Sequence, residues 1–177
     1  ELAPAPTTWE RSLNWSPDGA TILAGTFDGT VLVWDAATGR LTQQVGDRES
    51  AAGNACFNEA SATPEGDIAV VSDDGYIRLA RLAASDSAWR GRFEPSSGRV
   101  LMNAVTLDSA TRRVLTGAHN HRLQIFDWQP DALSNERGLA LGEGPINSIR
   151  VAHNHGYDGD AFVACYSGAV VHVTREG

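Results

Sequence analysis

Two histidine pairs are the residues of this sequence whose type and spacing come closest to those of a metal site. Each pair flanks an asparagine, in the segments His119-Asn120-His121 and His153-Asn154-His155. Four imidazole groups brought together would suit zinc or another transition-metal ion. The strands that carry the two segments, deduced below, place them at opposite ends of a sheet, about 17–20 Å apart. We therefore predict that they are surface turn residues and share no metal.

Two further polar segments invite a functional interpretation. Residues 154–160 are rich in oxygen donors, but they lack the regular spacing and the distal glutamate of a calcium-binding loop. Asp73 and Asp74 form an adjacent carboxylate pair, which acid–base catalysis could use. Asp74 falls at a turn position that recurs along the chain, and this explains it structurally. We expect Asp73 to be an exposed turn residue.

Motifs for a catalytic nucleophile are missing from the sequence. It contains no Gly-x-Ser-x-Gly segment and no phosphate-binding glycine-rich loop before a helix. The two cysteines, Cys56 and Cys165, fall in predicted strands and are expected to be buried, reduced thiols. We predict no enzymatic activity, no catalytic or metal-binding residues and no cofactor.

The charge balance argues against a nucleic-acid partner. All 14 basic residues are arginine, whereas 22 residues are acidic, so the formal net charge is −8. Nucleic-acid binding depends on basic residues that neutralise phosphates. No apolar segment approaches the ~20 residues that a membrane-spanning helix needs, and no signal peptide is visible. We expect a soluble, cytoplasmic protein, and the abundance of arginine, alanine and glycine indicates a bacterial gene.

A turn signal recurs along the chain at intervals of 46, 46 and 47 residues. It begins at Asp28, Asp74, Asn120 and Ser167, and short apolar runs with many β-branched residues flank it. Asp-Gly at the first two positions is typical of a tight hairpin turn, because glycine tolerates positive φ. Each repeat contains three clear strands, and the first three repeats add a weaker fourth, at 41–45, 89–93 and 138–141. The approximate units are 7–46, 51–93, 99–141 and 144–177, and the last lacks its fourth strand.

The repeats together predict a propeller. A four-stranded sheet of about 45 residues cannot bury both faces alone, but several can when they stack around an axis. The first unit resembles a WD repeat nearly throughout, in its Ser16-Pro17-Asp18-Gly19 turn, its Asp28-Gly29-Thr30-Val31 run and its closing Trp34-Asp35 pair. The resemblance extends more loosely to residue 177. It implies an all-β WD-repeat propeller segment of about four four-stranded antiparallel blades, with the last blade lacking its outer strand.

The resemblance also assigns structural roles within the repeats. In the family, a histidine before the innermost strand joins a hydrogen-bond relay with the turn aspartate, a strand serine or threonine, and the tryptophan. Gly142 stands where that histidine would be, and no unit retains one. We therefore expect only partial relays and blades held mainly by packing, with Trp15 among the packed residues. The residues expected at the repeat's structural positions are Asp28, Trp34, Asp74, Asn120 and Phe126.

Six residues are predicted to form a protein-binding surface at one end of the sheets. Four chemically unlike side chains directly precede the recurring turns, and variety at equivalent positions indicates recognition. Two asparagines near the starts of innermost strands should emerge at the same end. By resemblance, this end is where WD-repeat proteins commonly bind peptides and partner domains. The six residues are Phe27, Asp73, His119, Tyr166, Asn103 and Asn147.

Three functions are compatible with the sequence. We favour a non-catalytic scaffold or sensor module for protein–protein interaction, of the kind attached to bacterial signalling enzymes. The first alternative is an enzyme or a ligand-binding site at the central channel, which requires polar residues from several units to converge on the axis. The predicted innermost strands, 11–15, 53–57, 102–106 and 146–151, show no acidic or histidine cluster beyond Glu10. The second alternative is a self-assembling element; the partners would then be another protein, the remainder of a larger chain, or further copies of this one.

Overall fold

A computed structural model of the chain describes residues 9–46, 55–82, 88–154 and 156–176. Within these ranges the protein consists of β-strands and turns, and the strands form four antiparallel sheets. In every sheet the strands are hydrogen-bonded in chain order, so each repeat folds as a meander. No helix that could cross a membrane occurs among these residues.

Each sheet is one blade, and the blades are numbered in chain order. Blade 1 contains β1 Asn14–Trp15, β2 Thr21–Gly25, β3 Thr30–Asp35 and β4 Leu41–Gly46. Blade 2 contains β5 Phe57–Ala62, β6 Asp67–Ser72, β7 Ile77–Arg81 and β8 Ala88–Phe93. Blade 3 contains β9 Met102–Asp108, β10 Arg113–Ala118, β11 Arg122–Gln129 and β12 Ala132–Ala140. Blade 4 contains β13 Ile146–Ala152, β14 Asp160–Cys165 and β15 Val170–Val173, and it lacks a fourth strand among the described residues, as predicted.

The two ends of the blades differ in the connections they carry. At one end, here called the turn end, lie the tight turns between second and third strands, at 27–29, 73–75, 119–121 and 166–168. At the other, the loop end, lie the connections between first and second strands, at 16–20, 63–66, 109–112 and 153–159. His119 and His121 are therefore at the turn end and His153 is at the loop end, as the strand order predicted. His155 lies outside the described residues.

Three strand predictions differ from the structure. In blade 1 the innermost strand is only Asn14–Trp15, whereas 11–15 was expected. The other two were wrong because polar residues concealed a strand. The innermost strand of blade 2 begins at Phe57, whereas 53–57 was expected; Asn58, Glu59 and Ser61 give it the composition of a loop. The outer strand of blade 3 starts at Ala132, directly after a two-residue turn, whereas 138–141 was expected. Most residues of that strand face solvent, so it carries little apolar pattern.

The hydrophobic core consists of layers between successive blades. Strand residues alternate between the two faces of a sheet, so Ile68 and Val70 of β6 pack toward blade 1 while Ala69 and Val71 pack toward blade 3. A third layer joins blades 3 and 4, with Leu115 and Ile149 at its centre. Every blade therefore depends on its neighbours for the burial of its apolar side chains.

Two glycines let adjacent sheets approach closely. A Cβ atom on Gly25 of β2 would lie 2.5 Å from the carbonyl oxygen of Phe57 in the next blade. At the equivalent position of blade 3, a Cβ atom on Gly117 would overlap the side chain of Ile146. In both cases the large apolar residue that opens the next innermost strand occupies the space.

We expect Gly117→Ala to lower the free energy of unfolding by about 1–3 kcal/mol, because the added methyl group overpacks the layer between blades 3 and 4. Gly46→Ala is the matched control, since its Cβ atom would make an ordinary contact with the Thr30 methyl group at 3.4 Å. That change should stay within about 0.5 kcal/mol. Chemical denaturation measures both values, and equal stability of the two variants would contradict the close approach.

Candidate functional site

A β-bulge opens the innermost strand of blades 2, 3 and 4, and the extra residue is an asparagine each time. The strand registers skip Asn58, Asn103 and Asn147, so these residues have no partner in the ladder. A bulge redirects the side chain of its extra residue. All three asparagines line one cleft of about 240 Å³ at the turn end, together with Arg11, Ser12, Glu59 and Tyr166.

Asn58 was missed in the sequence analysis, which named the other two asparagines. Its signal was present, because Asn58, Asn103 and Asn147 follow one another at nearly the repeat interval. It was overlooked because the innermost strand of blade 2 was predicted at 53–57, which ends before Asn58. We call the three asparagines, with His119 and Tyr166, the asparagine face.

Four of the predicted binding residues meet at this face, and a fifth adjoins it. The amide nitrogen Nδ2 of Asn103 lies 2.9 Å from Nε2 of His119. The His119 ring contacts Tyr166 edge to face, with ring centroids 6.0 Å apart. Asn147 lines the same cleft. Asp73 adjoins the face, because its carboxylate accepts a 2.6 Å hydrogen bond from the Asn58 amide.

Phe27, the sixth predicted residue, does not line the cleft. It lies on the turn of blade 1, where its exposed ring contacts the exposed Trp9 edge to face at 6.1 Å. The turn end therefore carries two aromatic pairs, one on blade 1 and one where blades 3 and 4 meet. Aromatic side chains exposed in this way are common at binding surfaces.

The repeat residues named from the sequence lie in the turns and the core. Asp28 accepts hydrogen bonds from the hydroxyl groups of Thr26 and Thr30, which close its turn. Asn120 Oδ1 accepts from the backbone N–H of Arg122 in the same way. Trp34 and Phe126 are buried.

Asp74 forms an ion pair with a side chain that is not part of the repeat pattern. Its carboxylate pairs with the buried Arg78, whose guanidinium donates at 2.5 and 3.0 Å, and also accepts from Ser72. Burial opposes ionisation of Asp74, but the hydrogen bonds from Arg78 and Ser72 outweigh it and lower the pKa of this carboxyl. The turn of blade 2 is thus held by a partly buried ion pair.

A buried carboxylate connects all four blades at the axis. Glu59 of β5 is 5% exposed and accepts hydrogen bonds from Asn14 Nδ2 of blade 1 and the Val105 N–H of blade 3, both at 2.8 Å. Arg150 of blade 4 reaches Glu59 at 3.3 Å and also donates to Asn14 Oδ1 at 2.7 Å. Glu59 lies outside the innermost strand predicted for blade 2, 53–57, which began four residues too early.

Hydrogen bonds between innermost strands add to the packing that was expected to hold the blades. Asn14 donates to the carbonyl oxygen of Ala60 in the next blade at 2.9 Å. At the equivalent position of blade 2, Ser61 accepts from the N–H of Leu107 at 3.0 Å. In blade 3, Thr106 donates to the carbonyl oxygen of Ile149 at 2.9 Å.

Trp15 is exposed, contrary to the expectation that it packs in the core. Its equivalents Ala62 and Leu107 are buried against the preceding blade. Within the described part of the chain, blade 1 has no preceding blade, so the Trp15 side chain is 60% exposed and lines a second cleft at the loop end.

Burial raises the pKa of the Glu59 carboxyl, although hydrogen bonds from Asn14 and Val105 and the charge of Arg150 oppose the shift. The folded protein therefore binds this proton more tightly than the unfolded chain does, and folding becomes less favourable as the pH rises through the raised pKa. We expect the stability of the wild type relative to Glu59→Gln to increase as the pH falls from neutrality through the raised pKa toward the ordinary glutamate pKa, about 4.3. Urea denaturation at several pH values tests this. The control is Glu65→Gln in an exposed turn; a stability difference for Glu59→Gln that is the same at every pH would contradict the prediction.

Comparison with known proteins agrees with this geometry. The family model described as "WD domain, G-beta repeat" matches residues 7–35. No curated protein matches the chain. Among solved structures, the β-propeller domain of Myceliophteria thermophila Cps50 (Swd1) superposes with a TM-score of 0.68 at 18% sequence identity, over 94% of this chain and 53% of that one. The chain thus spans about half the length of that structure. It begins with a WD repeat and has the fold of a WD-repeat β-propeller.

Proposed function

We propose that this protein is a non-catalytic scaffold or sensor module, of the type used in signalling, and that it binds a protein partner at the asparagine face. WD-repeat propellers generally mediate protein–protein interaction, and the fold therefore supports the class of function. We choose this surface because a bulged asparagine recurs there in three consecutive blades. Each bulge redirects an asparagine side chain toward one cleft. The buried Asn58 amide is bonded to Asp73 and to the Met102 carbonyl oxygen, so Asn103 and Asn147 are the two that a partner would contact.

The groups at this face are suited to recognition of a polypeptide. An amide side chain offers both a donor and an acceptor to a partner's backbone. Tyr166 is exposed and presents an aromatic ring with a hydroxyl group, a combination enriched in the residues that dominate interface energies. Phe27 and Trp9 extend the apolar contact area across blade 1.

The outer face of blade 4 supports a second proposal, that further blades adjoin this chain. Residues at the equivalent positions of the other blades are buried against the next sheet, as Val31 and Leu123 show. Val170 takes that position in blade 4 and is 68% exposed. We propose that this face is covered by another blade, from the remainder of a larger chain or from a second copy.

We expect Tyr166→Ala to weaken partner binding about tenfold or more while leaving the fold intact, because the ring is exposed. A photo-crosslinking amino acid placed at Asn147 should capture the partner, and one placed at Glu65, on the loop end, should not. Binding of the purified partner to the wild type, Tyr166→Ala and Phe27→Ala is then compared by calorimetry. Equal capture from both ends, or unchanged affinity of the two variants, would refute this surface.

The open face of blade 4 predicts self-association of the 177-residue chain when no other blade is supplied. Light scattering should give a mass above 18.8 kDa for the wild type, and Val170→Glu should return it to 18.8 kDa by placing a charge on the apolar face. Trp9→Glu, at an even more exposed apolar position at the turn end, is the control and should not change the mass. A wild type that remains monomeric and unfolds cooperatively would be the contrary result.

A further inference from the structure

In two adjacent blades, the amide of the bulged asparagine is oriented by the residue that directly precedes the recurring turn of the same blade. In blade 2, Nδ2 of Asn58 donates to the Asp73 carboxylate at 2.6 Å. In blade 3, Nδ2 of Asn103 lies 2.9 Å from Nε2 of His119. Both blades have a neighbouring blade on either side, so this pairing does not depend on a blade outside the chain.

The pairing in blade 3 determines which atom of the Asn103 amide is presented to a partner. An amide carries donors on its nitrogen and an acceptor on its oxygen, on opposite sides of Cγ. The nitrogen of Asn103 is directed at His119, so Oδ1 is directed away from that ring. Among the described residues no hydrogen bond reaches this oxygen. Because Asn103 lines the cleft at the turn end, a partner at the asparagine face meets an acceptor at this position.

The contact with Asn103 also fixes the state of the His119 ring. An amide NH2 group can only donate, so Nε2 accepts and the hydrogen of the neutral ring lies on Nδ1. A second proton on the ring would enter at Nε2 and would set two donors against each other. Rotation of the Asn103 amide by half a turn about Cβ–Cγ restores the bond, because Oδ1 then accepts from Nε2–H. The NH2 group is then directed away from His119, and a partner meets donors instead of an acceptor.

The surroundings of His119 leave Asn103 as the polar partner of its ring. The ring is exposed, and no carboxylate or guanidinium in the described part of the chain forms a bond with it. Histidine is the side chain that normally changes its charge between about pH 5 and 8. Charged or titratable side chains on the elements around His119 are Arg99 before β9, His121 and Arg122 in and after its own turn, and Glu143, Cys165 and Tyr166 around the turn of blade 4.

We propose that His119 sets the hydrogen-bonding specificity of the asparagine face through Asn103. While the ring is neutral, Asn103 presents an oxygen and selects a partner segment that donates a hydrogen bond at this point, such as an unpaired backbone N–H. When the ring is protonated, Asn103 presents N–H groups and the same partner loses this bond. His119 is thus a positioning residue, and the inference rests on the proposed function because it concerns the partner bound at that face.

The orientation of the amide is tested by NMR on the full chain labelled with ¹⁵N and ¹³C, and this test requires no partner. At about pH 8 the His119 ring should have its hydrogen on Nδ1, and a scalar coupling across the hydrogen bond should join Asn103 Nδ2 to His119 Nε2. At about pH 5 the coupling should disappear, and the NOEs between the Asn103 NH2 group and the ring should weaken. The internal control is Asn58, whose NH2 group is held by a carboxylate and a backbone carbonyl and should keep its NOEs at both pH values.

Two variants separate orientation by His119 from a general effect of pH. His119→Asp gives blade 3 the pairing that blade 2 has, and it should keep the NH2 group of Asn103 directed at residue 119 at both pH values. His121→Asn removes the other histidine of the same turn with a residue that tolerates the φ of 62° there, and it should leave the change at Asn103 intact. The proposal is overturned by an absent coupling at the higher pH, by unchanged NOEs at the lower pH, or by a change at Asn103 that persists in His119→Asp.

The effect on recognition is measured with the partner captured through Asn147. The wild type and His121→Asn should bind it about fivefold more weakly at the lower pH, as expected for the loss of one hydrogen bond, whereas His119→Asp should change less than twofold. Equal pH dependence of the wild type and His119→Asp would overturn the proposed specificity. Failure to capture any partner at the asparagine face would refute the proposed function, and with it the specificity, whereas the NMR result separately decides the orientation of the amide.

Discussion

The sheets of this protein are apolar on both faces, and the need to cover both faces determines the rest of the structure. Ile68 and Val70 point one way from β6, while Ala69 and Val71 point the other way, and all four are buried. Such a sheet is stable only between two others, so the blades must stack in sequence. In each sheet, the strand nearest the axis then has one edge with no apolar neighbour. The polar residues lie along this edge.

Several polar groups at the axis form hydrogen bonds to neighbouring blades. Glu59 shows this most clearly, since its carboxylate is bonded by residues of three other blades. A buried charge without partners would cost several kcal/mol, and removing one partner of such a group is accordingly more damaging than removing an exposed charge. The axis therefore fixes the blades relative to one another at the same place where it forms the floors of two clefts.

Much of the fold could be predicted from the sequence, because its signals are local. The turns recur at a fixed interval, and so do the residues that close them, such as Asp28 and Asn120. This recurrence indicates the number of blades. The residues of the candidate site were harder to predict from the sequence. Glu59 and Asn58 resembled loop residues in the sequence. Their strand forms polar bonds to both neighbouring blades, and it therefore lacks the alternation of apolar and polar residues that marks a strand. The exposure of Trp15 depends on whether another sheet packs in front of blade 1, and the residues around Trp15 do not indicate this.

The bulged asparagines differ in how far they contribute to the scaffold. The buried Asn58 joins blade 2 to the Met102 carbonyl oxygen of blade 3. Asn103 and Asn147 are not buried and take no part in strand pairing, so another side chain can replace either of them without shifting the register of β9 or β13. Evolution can thus change these two positions while the scaffold stays constant. Divergent relatives built on the same blades would be expected to differ in the ligands they select far more than in the way they fold.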